Sequence, residues 1–146
     1  MMTTAAFRRA ESHGPGQDNT VAVSRVVLHL ARSHEFPEGS GRHGYEIVAP
    51  LRESGNLDPD AWKNVRSRCT VRRFWGGDPD RHGILVHRAG GAEGATWLID
   101  YDQASFADGE AGYRLGSHAF VEGEYVSIRD EDGDLHTFRV VSVCPA

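Results

Sequence analysis

Histidine is the side chain here best suited to chemistry near neutral pH, and the chain carries eight: His13, His29, His34, His43, His82, His87, His118 and His136. A neutral imidazole ligates transition metals, and the same ring moves protons close to physiological pH. Spacing decides between these roles. His82 and His87 are five residues apart, so on one regular strand they point to opposite faces and cannot share an ion. No His-x-His and no His-x-x-x-His pair occurs. A site can still assemble across strands from His87, His118 and His136, and a small barrel holding it would be an enzyme site with the layout of the cupin class, which however uses a close His-x-His. With no ligand spacing to support one, no metal and no cofactor is assigned. The ordinary role of such histidines is a rim or core imidazole satisfied by hydrogen bonds.

A second kind of chemistry is recognition. Arg73, Trp75, His87, His118 and His136 all fall on or beside β-type stretches, and together they are the expected contact residues of a non-catalytic module that binds a small ligand or a protein partner through one barrel mouth. Asp100 and Asp102 are candidates for the same cavity. Trp75, Trp97, Tyr101, Tyr113 and Phe120 supply large apolar surfaces, as core or as cavity walls.

Other patterns fail on context. Gly39 to Gly44 reads GSGRHG and satisfies GxGxxG, but a dinucleotide site needs that turn to open a helix, and strand-like YEIVAP follows. Asp130, Asp132, Gly133 and Asp134 suggest a calcium loop, yet the glycine comes too early and Val141 stands where the bidentate glutamate belongs. No nucleophile elbow surrounds a serine, and neither Ser117-His118 nor Cys69 has the placed partners of a catalytic triad. Cys69 and Cys144 show no metal spacing and read as two reduced thiols.

The elements that must position these residues are mostly strands. Around the Asp132-Gly133 turn, a three-residue loop of Glu131, Asp132 and Gly133 pairs Val126 with Phe138 and Ile128 with His136, segregating the apolar side chains onto one face that also carries Val140. Val141 and Val143 then fall on the more polar face, which predicts cover on both sides of the last strand. Earlier, Ser24 to Arg32 alternates apolar residues on both faces and reads as a central strand. SHEFPEGSGRHG is a loop, and Tyr45 to Leu51 is a strand ended by Pro50. Leu57 to Cys69 is the one helix, with Asp58 as N-cap, Pro59 in the first turn, and Ala61, Trp62, Val65 and Cys69 in an apolar stripe. TVRRFWG, ILVHR and ATWLIDY then form a meander with short glycine-rich joins, Gln103 to Glu110 is a polar loop, and Gly112 to Val121 is a further strand.

These elements make the chain mainly β: a small antiparallel β-barrel or sandwich of about seven or eight strands with one α-helix. Residues 1–23 form a polar tail and 24–146 a single domain, which the length of 146 residues and the 39% hydrophobic content can support. A net charge of -5 argues against nucleic acid as a partner. Arg66, Arg68, Arg72 and Arg73 cluster in sequence and read as a solvated face balancing nearby carboxylates. The absence of a long apolar run argues against a membrane partner and for a cytoplasmic protein.

Across Arg25 to Val143, the wording of ARSHEFPEGSGRHGYEIVAPL, VRRFWGGDPDRHG and GEYVSIRDEDGDLHTFRVVSV resembles a group of uncharacterised bacterial proteins. That resemblance implies no activity, cofactor or site residue.

Overall fold

Alternating side chains set the inner face of each strand, as β-geometry requires. The computed structural model describes residues 21–88, 96–101, 113–115, 119–129 and 133–146. In β1 (Ser24–Leu30), Val26, Leu28 and Leu30 are buried while Arg25, Val27 and His29 face the other way. The strands that follow are β2 (Ser40–Ala49), β3 (Thr70–Trp75), β4 (Arg81–Arg88), β5 (Thr96–Asp100), β6 (Tyr113–Leu115), β7 (Tyr125–Arg129) and β8 (Leu135–Pro145). Each pairs antiparallel with the next, and β8 pairs with β1, so these eight strands close into a barrel. The expected mainly β fold with one helix is therefore present. The ring is thinnest at β6, which meets β7 through Arg114 opposite Arg129 and Leu115 opposite Ile128.

An eight-stranded barrel is just wide enough for side chains to fill. Val26, Leu28, Tyr45, Ile47, Val71, Leu85, Ile99, Val126, Ile128, Phe138 and Val140 form one buried cluster, with the Tyr45 and Phe138 rings edge to face at 5.1 Å. The final hairpin has the expected register, Val126 opposite Phe138 and Ile128 opposite His136. Its tip, residues 130–132, lies outside the described residues, and Gly133 has a positive φ of 91°, the left-handed conformation that a glycine closing a three-residue hairpin loop adopts.

Bulges account for several departures from simple alternation. Val27 pairs with Ser142 but Leu28 with Val140, which leaves Val141 as an extra residue. The resulting change of phase brings Val143 opposite the inward Val26, where it packs on the core, so the expectation that Val143 lies on the polar face is corrected. Similarly, His29 pairs with Gly44 and Leu30 with Ser40. β2 thus starts at Ser40, five residues before the expected Tyr45, and holds Gly41, Arg42 and His43 in a wide bulge. Gly44 lets β2 lie close against β1, since an added Cβ there would collide with the Leu28 carbonyl oxygen. The GxGxxG pattern therefore serves strand packing. β1, expected to be a central strand, is paired on both edges, and its apolar outer positions lie on the barrel's outer side, where Val27 and His29 are only half-buried.

The helix α1 (Pro59–Val65) is shorter than expected and runs on as one 3₁₀ turn over Arg66–Arg68. Asp58 caps it as read from the sequence, accepting hydrogen bonds from the backbone N–H groups of Asp60 and Ala61 at 3.1 Å each. Trp62 and Val65 are buried, and the Trp62 indole N–H donates to the Leu85 carbonyl at 3.0 Å. With Leu57, Cys69 and Phe120 in the same cluster, α1 closes one end of the barrel. Residues 1–20 of the expected tail 1–23 and the expected loop Gln103 to Glu110 lie outside the described residues, and of the expected strand Gly112 to Val121 only β6, Ala119, Phe120 and Val121 are described.

Candidate functional site

The end opposite α1 gathers cationic and aromatic side chains. In β3 the inward positions run Val71, Arg73, Trp75, while Thr70, Arg72 and Phe74 face out. In β4 the inward positions near this end are Arg81 and Gly83, leading to the buried Leu85. Antiparallel pairing sets Arg73 directly opposite Arg81, so two guanidinium side chains enter the mouth from neighbouring strands. Each lies over an aromatic face, with Cζ of Arg73 4.2 Å from the Trp75 ring centroid and Cζ of Arg81 4.2 Å from that of Tyr101. Such stacking is worth about 0.5–1 kcal/mol at exposed sites and more where water is excluded. The Nε atom of Arg73 is buried.

Two imidazoles complete the cluster. His43, projecting from the β2 bulge, meets Trp75 edge-on at 4.7 Å and Phe36 at 4.7 Å. Ser40 Oγ and His43 Nδ1 share a hydrogen bond of 2.7 Å. His136, at the start of β8, lies 5.6 Å from the Trp75 ring. Partial burial holds the His43 pKa below its ordinary value, helped by the positive charges of Arg42 and Arg73 and opposed by Asp78 and Glu35. His43 is therefore a neutral imidazole at neutral pH. Trp75 and His136 also wall a depression of about 370 Å³, with Leu30, Leu135, Glu35 and Arg32 around it.

Of the five residues expected to contact a ligand, Arg73, Trp75 and His136 come together at this mouth. His87 does not. It sits at the α1 end, 4.5 Å from the Trp97 ring and 5.8 Å from Trp62, where burial first and the Lys63 charge second lower its pKa. His118 and Asp102 lie outside the described residues. Asp100 is opposite Ile84 and alternates with the inward Ile99, so it belongs to the outer face rather than to the cavity. The arginine run divides in the same way: Arg72 faces out and binds Glu46 at 3.0 Å and Asp80 at 2.9 Å, as a charge-balancing reading expects, whereas Arg73 turns inward.

His43 and Arg81 were missed as site residues, although a signal existed for both. Arg81 shares parity with Leu85, and His43 with Tyr45 and Ile47, so extending each strand by a few residues would have placed them inside. The reading of SHEFPEGSGRHG as a loop, and of the residues between TVRRFWG and ILVHR as a glycine-rich join, conceals that parity. Among the described residues, no group of three His, Cys, Asp or Glu side chains has the arrangement of a metal site, and no helix is long and apolar enough to cross a membrane. No family model, curated protein or solved structure matches the chain.

Proposed function

We propose that this protein is a non-catalytic binding barrel that takes a small ligand in the mouth opposite α1. The observation that carries the reading is the contrast between the two ends. One is plugged by the Trp62 side chain and its bond to Leu85, and the other directs Arg73, Trp75, Arg81 and His136 inward. A concave site with an aromatic wall and a few polar groups is the ordinary form of a small-molecule site, and the depression beside this mouth that Trp75 and His136 wall, of about 370 Å³, is of the usual size. Inward-facing contact residues favour a small molecule over a protein partner, which would need them on an outer surface. A bacterial, cytoplasmic protein without nucleic-acid or membrane partners belongs to the same proposal. The alternative histidine enzyme loses its trio, since His87 and His136 stand at opposite ends of the barrel.

Ligand-observed NMR with a panel of fragment-sized compounds tests this. Binding to the wild-type protein should be lost in Trp75→Ala and kept in His87→Gln. An absence of binders, or binders indifferent to Trp75, would overturn the reading.

A further inference from the structure

β1 breaks register with both of its neighbours. On one side β8 gains Val141, and on the other β2 holds Gly41, Arg42 and His43 in its wide bulge. Both irregularities open onto one groove of about 450 Å³, since Val141 and Gly41 both line it. Bulges are over-represented next to active sites, where they re-aim side chains. A single register row crosses this groove: Tyr125 stands opposite Arg139, and Arg139 opposite His29, and all three line it. They alternate with the buried Val126, Phe138 and Leu28, so the groove lies on the outside of the barrel. Tyr125 is 59% exposed. Gly41 leaves the His29 ring uncovered on its side, where an added Cβ would lie 3.4 Å from it.

Charge sets this groove apart from the rest of the outer face. Arg25 is neutralised by Glu46 at 3.1 Å, and Arg72 by Glu46 and Asp80. Arg139 and Arg32, the latter just past the end of β1, both line the groove, and among the described residues neither side chain has an ion pair or hydrogen bond. In a chain of net charge -5, two cations gathered without a carboxylate partner give a local positive potential that attracts an anion. A phosphate monoester, with nearly two negative charges and three acceptor oxygens at neutral pH, matches two guanidinium groups better than a singly charged carboxylate does. Glu38 is the one carboxylate lining the groove; it repels a bare anion and accepts hydrogen bonds from hydroxyl groups. The exposed Tyr125 ring offers an apolar face for the C–H side of a sugar.

We infer that this outer groove is a second ligand site, for a small phosphorylated sugar, with the phosphate at Arg139 and Arg32, the hydroxyl groups toward Glu38 and the sugar face on Tyr125. It stands independently of the mouth, because Trp75 does not line it. Arg32 also borders the depression at the mouth, so the decisive variant is at Arg139.

The test is an amide chemical-shift titration with glucose 6-phosphate and ribose 5-phosphate, and with glucose, ribose and inorganic phosphate as their separate halves. At least one sugar phosphate should bind about tenfold or more tightly than its sugar or inorganic phosphate alone, moving the Gly41 and Tyr125 resonances, and added salt should weaken it. Arg139 is exposed and without a partner to lose, so Arg139→Gln should keep the fold and weaken that binding about tenfold. Glu38→Ala should remove the preference over inorganic phosphate, and Trp75→Ala should change nothing. No binding of either sugar phosphate, or binding unchanged in Arg139→Gln, would overturn the inference. Loss in Trp75→Ala with Arg139→Gln unaffected would overturn it by placing the phosphate at the mouth, and inorganic phosphate binding as tightly as the sugar phosphates would overturn the sugar assignment.

Discussion

Trp62 donates its indole N–H to the Leu85 carbonyl at 3.0 Å, and this bond, made across the barrel wall by the only α-helix among the described residues, fixes which end is closed. Trp62 is 6% exposed and packs edge-on against Trp97 at 6.0 Å. Trp62→Ala should therefore cost about 3–5 kcal/mol, the usual range for removing a buried aromatic ring. Trp75, partly exposed at the other end, should cost about 1–2 kcal/mol when changed to Ala while removing ligand binding. Urea denaturation of both variants measures the difference, and equal losses would contradict a closed end and an open one.

Gly44 carries a second prediction. Its missing side chain lets the Leu28 carbonyl of β1 approach, and an added Cβ would also come within 3.0 Å of the Phe74 ring. Gly44→Ala should lower stability by about 2 kcal/mol or more, through overpacking against backbone that cannot yield. Gly77 has open space around it, and Gly77→Ala is the matched control, expected within about 0.5 kcal/mol of wild type. Similar losses at the two glycines would show that Gly44 does not govern the β1–β2 approach.

Acid should weaken the fold through His43 and His87, both held below the ordinary histidine value first by burial. The sign follows from proton binding. Below about pH 6.5 the unfolded chain takes up protons that these rings in the folded chain resist, so stability falls as pH drops from about 6.5 toward each folded pKa. Above that window both states are neutral and the contribution is constant. Denaturation midpoints across this range should decline less steeply in His43→Gln and in His87→Gln than in the wild type. An unchanged slope in both variants would contradict the assignment.

The two cysteines should react on different schedules. Cys69 is fully buried, its thiol donates to the Val65 carbonyl at 3.3 Å, and burial pushes its pKa up to about 11. Cys144 is exposed, and both are free. A chromogenic disulfide reagent should modify one thiol in the native protein and the second only after denaturant is added. Rapid modification of both would mean that Cys69 is reachable in the folded state.

Much of the barrel was legible because strand alternation is a local property. The β7–β8 register followed from keeping Val126, Ile128, Phe138 and Val140 on one face, and the Asp58 cap with Pro59 after it located the helix start. The bulges were not legible. Nothing in the residue order around Val141 or His43 marks where a strand gains a residue, since that depends on closing β1 against both neighbours. The candidate site suffered for the same reason. Arg73, Trp75 and His136 could be chosen as polar or aromatic residues near strand ends, but whether two strand ends meet at the same mouth depends on chain direction around the ring. His87 ends its strand at the α1 end and His136 begins its strand at the other, a distinction that composition and spacing do not carry.

The most direct test of the mouth opposite α1 is fluorine NMR of protein carrying fluorinated tryptophan at its three tryptophan positions, assigned by Trp→Phe variants and titrated with the fragment-sized compounds that bind. The Trp75 resonance should move on titration while those of Trp62 and Trp97, at the closed end, stay in place. Movement of Trp62 or Trp97 with Trp75 unmoved, or no movement at any of the three, would contradict it.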